Sequence, residues 1–147
     1  MVKTEYISNT EKDTVQLGKE FAKNLKPGEI VALSGALGTG KTEFIKGICK
    51  HFDVHEIVTS PTFTLINQYD GKLDGDEISI YHIDLYRIKE KKELDEIGLD
   101  ECLASENSIK LIEWAEKADI PLTENLYKVN INYDPEDENK RIIHITH

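Results

Sequence analysis

Arginine is scarce in this chain: Arg87 and Arg141 are the only two among 147 residues, and the net charge is −10. A surface that acidic repels a phosphate backbone on average, so the chain is not expected to hold nucleic acid by itself. The same scarcity argues against a small kinase, which uses several guanidinium groups to clamp a second anionic substrate. Cysteine is sparse too. Cys49 and Cys102 have neither metal-site nor redox-motif spacing and read as incidental thiols. No apolar run approaches the roughly 20 residues that span a bilayer. The opening Met1 to Tyr6 lacks the apolar stretch of a secretion signal, so a cytoplasmic protein without membrane contact is expected. Repeats, linkers and low-complexity tracts are missing as well. At this length one domain, 1–147, is expected, able to bury about two-thirds of its unfolded surface.

What the chain does have is Gly35-Ala36-Leu37-Gly38-Thr39-Gly40-Lys41-Thr42, which fits G-x-x-x-x-G-K-[ST]. The pattern has mechanical meaning only between a strand and a helix, and it lies there. Glu29 to Ser34 is an apolar run suited to a buried parallel strand, and Thr42 to His51 places Phe44, Ile45 and Ile48 at helical spacing. Glycines let successive N–H groups turn toward a polyphosphate, and the helix N-terminus adds positive potential. Lys41 reaches for the β- and γ-phosphates, and the Thr42 hydroxyl is a ligand for Mg²⁺. The guanine-reading pattern Asn-Lys-x-Asp is absent, which favours ATP over GTP.

Around this motif the pattern predicts an α/β fold, a P-loop NTPase-like mixed β-sheet with helices on both faces and antiparallel hairpins. Thr4 to Ile7 reads as a short strand. Thr10 to Asp13 resembles a capping box, and Leu17, Phe21 and Leu25 follow on one helical face until Pro27-Gly28. Thr62 to Tyr69 and Ile78 to Ile83 read as strands joined by a turn over Asp70 to Asp76. Glu90 to Leu103 is helical by pattern, with Leu94, Ile97 and Leu103 inward. Ile109 to Ile112 is another strand, and Pro121 ends a brief helix. Tyr127 to Tyr133 and Ile142 to Ile145 form a second hairpin around the acidic turn Asp134 to Asn139.

Polar residues at strand ends decide what the motif is for. Asp84 ends Ile78 to Ile83 and Glu113 ends Ile109 to Ile112. P-loop proteins place a carboxylate at the end of a neighbouring strand to hold the magnesium shell. Ser60-Pro61-Thr62 is either a segment that senses the γ-phosphate or its metal, or a plain turn before a strand. Trp114 either stacks near a nucleotide or partner, or packs in the core. Arg87 contacts phosphate or makes a surface ion pair. His82 equally suits a strand histidine satisfied by its neighbours.

Taken in order, Gly35 to Thr42, Ser60-Pro61-Thr62-Phe63, His82-Ile83-Asp84-Leu85-Tyr86-Arg87 and Glu113-Trp114 closely resemble the TsaE (YjeE-type) ATPase family. The resemblance runs from Ser8 to Trp114. It implies a bacterial cytoplasmic protein that binds ATP and Mg²⁺ and works with TsaB and TsaD to install N6-threonylcarbamoyladenosine (t6A) in tRNA, without itself transferring the threonylcarbamoyl group. Contact with tRNA would be indirect, through that complex. The resemblance also implies nucleotide contacts at Thr10, Leu37, Gly38, Thr39, Gly40, Lys41 and Thr42, and Mg²⁺ at Thr42 and Glu113. Lys41, Glu113 and Asp84 would support hydrolysis; which carboxylate faces metal and which faces water stays open on the residues alone. From Ala115 onward no motif matches.

Overall fold

Alternation of apolar residues along short strands, interrupted by two longer amphipathic helices, resolves into one seven-stranded sheet. The computed structural model describes residues 2–61, 63–120 and 125–147. The strands are β1 (Lys3–Ser8), β2 (Ile30–Ser34), β3 (Ile66–Leu73), β4 (Asp76–Asp84), β5 (Ser108–Glu113), β6 (Leu126–Tyr133) and β7 (Arg141–Thr146). The helices are α1 (Glu11–Ala22), α2 (Lys41–His51), α3 (Lys92–Glu96) and α4 (Leu99–Ala104), with a 3₁₀ turn at Ala115–Lys117. The sheet order is β1-β7-β6-β2-β5-β4-β3. The middle strands β6, β2, β5 and β4 run parallel, and β3, β7 and β1 add antiparallel edges. The expected mixed sheet with two hairpins is therefore the fold observed.

Period-two burial along β2 sorts the layers. Val31 and Leu33 face a large core with Phe21 of α1 and Phe44, Ile45 and Ile48 of α2. Ile30 and Ala32 face a smaller cluster built on Ile83, Leu85, Leu99, Cys102 and Ile112. Helices thus cover both faces, unequally. On the larger face α1 and α2 cross at two glycines: a methyl added at Gly18 would overlap the Phe44 carbonyl, and one at Gly47 the Val15 carbonyl. Only residues without a side chain permit that approach.

Three expected boundaries move. The first hairpin does not turn over Asp70 to Asp76; β3 continues to Leu73 and reverses at Asp74-Gly75, with φ of 52° and 87°, a two-residue turn matched to strand twist. Gly71, which suggested a turn, instead lets the strand pass close to α2, where the Phe52 carbonyl accepts from Lys72 N–H at 2.6 Å. At its other end β3 begins at Ile66, after a left-handed Leu65 (φ 68°); Thr62 lies outside the described residues. The helix expected over Glu90 to Leu103 is two short helices broken at Gly98, whose φ is 73°. Leu94, Ile97 and Leu103 do pack on the smaller cluster. The brief helix after β5 is the 3₁₀ turn, and Pro121 is outside the described residues.

Candidate functional site

The register brings the strand ends together. Leu33 of β2 and Asp84 of β4 both pair with Glu113 of β5, so the P-loop leaves the sheet one strand from Glu113 and two from Asp84. Crevices beyond the carboxyl ends of parallel strands are where open α/β sheets bind ligands. Here the P-loop and the strand ends enclose a cleft of about 440 Å³, lined by Lys41, Thr42, Ser60, Asp84, Glu113 and Trp114 among others.

Along the loop, Leu37 and Gly38 form an exposed crest, whereas Thr39 is buried and its hydroxyl donates to the Ala36 carbonyl at 2.9 Å. Gly40 caps α2 with φ 107°, a left-handed conformation that costs a glycine little and aims the first helical N–H groups out of the loop. Lys41 opens the helix. Its ammonium donates to the carbonyls of Gly35 at 2.7 Å and Ala36 at 2.9 Å and lies 4.7 Å from the centre of the Trp114 ring. Burial lowers its pKa from the ordinary lysine value, opposed first by the charge of Glu113 and then by Asp84 and Glu116. A cation held among carbonyls, an aromatic face and carboxylates is suited to an incoming polyanion, because those carbonyl contacts can be exchanged for phosphate oxygens. Thr42 sits on the next position, on the cleft side.

Both strand-end carboxylates are buried, Asp84 at 6% and Glu113 at 4% exposure. Burial of two acids is costly unless each is hydrogen-bonded, and each is. Asp84 accepts from the Ser60 hydroxyl at 2.7 Å and from Tyr86 N–H at 2.9 Å. Glu113 Oε2 pairs with His82 Nε2 at 2.7 Å. Asp84, Glu113 and the Thr42 hydroxyl are hard oxygen donors of the type Mg²⁺ prefers, and Glu11, Glu43 and Ser60 add further oxygens to the cleft lining. Directly after Glu113 the backbone is left-handed at Trp114 (φ 59°), a rare state for a bulky residue. This turn sends the chain out of the sheet and sets the indole over Lys41 and beside Tyr86, ring centres 5.1 Å apart. Trp114 is thus at the cleft and half-buried on the smaller core at once.

Thr10 is on the opposite flank of the loop. Its hydroxyl oxygen accepts from Asp13 N–H at 3.0 Å as the cap of α1. It also lines a second cleft of about 530 Å³ with Gly38, Thr39, Gly40 and Arg141. Arg87 is placed neither on the P-loop cleft lining nor in an ion pair among the described residues; its guanidinium covers the exposed Phe63 ring at 4.4 Å. Sequence reasoning missed Tyr133 and the role of Arg141. Arg141 Nε donates to the Thr39 carbonyl at 3.1 Å, and the Tyr133 hydroxyl donates to the Leu37 carbonyl at 3.4 Å, while the guanidinium stacks on the Tyr133 ring at 4.2 Å. The scarcity of arginine was the one local signal for Arg141.

A family model described as "Threonylcarbamoyl adenosine biosynthesis protein TsaE" matches residues 8–143. A protein of Rickettsia typhi named tRNA threonylcarbamoyladenosine biosynthesis protein TsaE is 43% identical over 138 residues, 93% of this chain and 90% of that one. The protein of the same name from Bacillus subtilis is 36% identical over 126 residues, 86% of this chain and 75% of that one. Among solved structures, Bacillus subtilis YdiB superposes with a TM-score of 0.76 at 28% identity, covering 98% of this chain and 84% of that one.

Proposed function

Because the chain belongs to the TsaE family of threonylcarbamoyl adenosine biosynthesis proteins, we propose that it binds and hydrolyses ATP with Mg²⁺ in support of t6A formation on tRNA. The observation that carries this reading is the convergence of Lys41, Thr42, Asp84 and Glu113 on one cleft at the ends of neighbouring strands. Phosphoryl transfer to water needs alignment and charge neutralisation more than covalent help, and that set supplies both. The loop N–H groups of Leu37 to Thr42 and the Lys41 ammonium hold the β- and γ-phosphates. Thr42 and Glu113 would hold Mg²⁺, which would neutralise charge on the phosphate oxygens. Asp84 orients the attacking water. Thr10 lines the second cleft, which on this reading takes the nucleoside end.

A net charge of −10, with two arginines, one bonded to the Thr39 carbonyl and one over the Phe63 ring, argues against this chain gripping tRNA by itself. Its output is therefore delivered through protein contact, with TsaB and TsaD as partners and the Ser60 and Asp84–Arg87 segments as the parts that respond to nucleotide. No helix among the described residues is long and apolar enough to cross a membrane. The test is phosphate release from ATP by the chain alone and with a TsaB–TsaD pair, alongside size-exclusion chromatography in ATP and in ADP. Slow turnover alone, stimulation by the pair and nucleotide-dependent association are expected. Fast solitary turnover, or tight binding of naked tRNA at physiological salt, overturns the reading.

A further inference from the structure

His82 is fully buried on β4, yet nothing in the reaction outlined above uses it. Its two ring nitrogens face different parts of the site. Nε2 lies 2.7 Å from Glu113 Oε2; a carboxylate only accepts, so the imidazole N–H donates in that bond. Nδ1 lies 3.4 Å from the Tyr69 hydroxyl, which is itself 3.3 Å from the Thr59 carbonyl. Asn67 Nδ2 donates to the same hydroxyl oxygen at 3.4 Å, which fixes the oxygen and leaves its proton for His82 or Thr59. The next residue, Ser60, is bonded directly to Asp84 at 2.7 Å. Both carboxylates are thereby tethered to consecutive residues of one segment, Asp84 by a single bond and Glu113 through two side chains.

We propose that His82 is a positioning residue for the metal-facing carboxylate. By engaging Oε2 it fixes the rotamer of Glu113 so that the other oxygen, Oε1, is presented to the cation, and Tyr69 holds the imidazole ring in the orientation this requires. Partners one bond removed from a metal commonly set affinity in this way. The proposal rests on the reading of Glu113 as a metal ligand, and the experiment separates the two.

ATP affinity is measured by calorimetry without metal and across a Mg²⁺ series. Glu113→Gln comes first: an unchanged magnesium dependence removes Glu113 from the metal and the proposal with it. With that dependence lost, His82→Leu is expected to need about tenfold more Mg²⁺ for the same gain in ATP affinity, with metal-free affinity unchanged. His82→Gln carries a donor as many bonds from Cβ as Nε2 and should restore the midpoint to within about threefold, a part of that tenfold effect. His82→Asn carries a donor at the Nδ1 distance only and should not restore it. Tyr69→Phe should shift the midpoint in the same direction by less than His82→Leu. A wild-type magnesium midpoint in folded His82→Leu overturns the proposal. Equal midpoints for the Gln and Asn variants overturn it too, since the reach of the donor would then not matter, and this pair carries the test should the leucine variant fail to fold.

Discussion

The two flanks of the P-loop are built from different materials. On the β5–β4 side stand charged side chains, Glu113 and Asp84, with Lys41 between them and the loop carbonyls. On the β6–β7 side Arg141 and Tyr133 bond the main chain of the loop at Thr39 and Leu37. One flank presents charged side chains to the cleft; the other bonds the loop backbone. A phosphate-binding loop needs both, because N–H groups bind phosphate only when their directions are already set.

The difference between the flanks should show most at Lys41. Lys41→Ala removes the cation while leaving the loop contacts of Arg141 and Tyr133 in place, and is expected to weaken MgATP binding by about 10- to 100-fold, the range for a charged hydrogen bond worth roughly 1.5–3 kcal/mol. Calorimetric titration measures this, and wild-type affinity would remove Lys41 from the phosphate site. Next come the carboxylates, whose losses should differ in kind. Asp84→Ala should keep MgATP bound and reduce phosphate release in the presence of partners by about 100-fold or more, the effect of losing a general base. Normal turnover in that variant would take the water from Asp84. Glu113→Ala should lose affinity only where magnesium is present, and identical losses of binding in both variants would make the acids joint ligands.

The shaping flank should yield a smaller effect. Arg141→Met keeps an apolar stem over Tyr133 but loses the bond to the Thr39 carbonyl. A lost hydrogen bond of about 1 kcal/mol implies roughly a fivefold weaker ATP affinity, equal with and without magnesium. A magnesium-dependent loss there would mean that the two flanks are not separable. Smallest is the effect of thiol reagents. Burial raises the pKa of the Cys49 thiol to about 12 and of Cys102 to about 11, from an ordinary 9.0, so alkylation of the native chain at pH 8 should be slow and should leave nucleotide binding untouched. Rapid labelling of Cys49, which lies on α2 within the larger core, would report opening of the helix that carries the P-loop.

The charged flank was legible in the sequence for a physical reason. A carboxylate at the end of an apolar run breaks the run's composition, so Asp84 and Glu113 stand out against Ile83 and Ile112. The shaping flank was not. Tyr133 and Arg141 act on carbonyl groups, which every residue has, across sequence separations of 96 and 102 residues. No local pattern encodes that partnership. The same limit explains Gly71, whose neighbour in space, Phe52, is remote in sequence, and His82, whose link to Glu113 exists only once β4 and β5 are in register. By contrast, the P-loop strand and helix carry their own periodicity, and the structure places them as β2 and α2 within a residue of expectation.

The crossing of α1 and α2 has a dynamic consequence. With Gly18 against the Phe44 carbonyl and Gly47 against the Val15 carbonyl, neither helix can slide or rotate without driving backbone into backbone. Dense contact of this kind makes neighbouring segments open together. The amide protons of the two helices should therefore exchange with solvent as one cooperative unit, sharing a single opening free energy. Nucleotide bound at the start of α2 would then slow exchange along α1 as well, although apart from the capping turn at Thr10 little of that helix lies beside the loop.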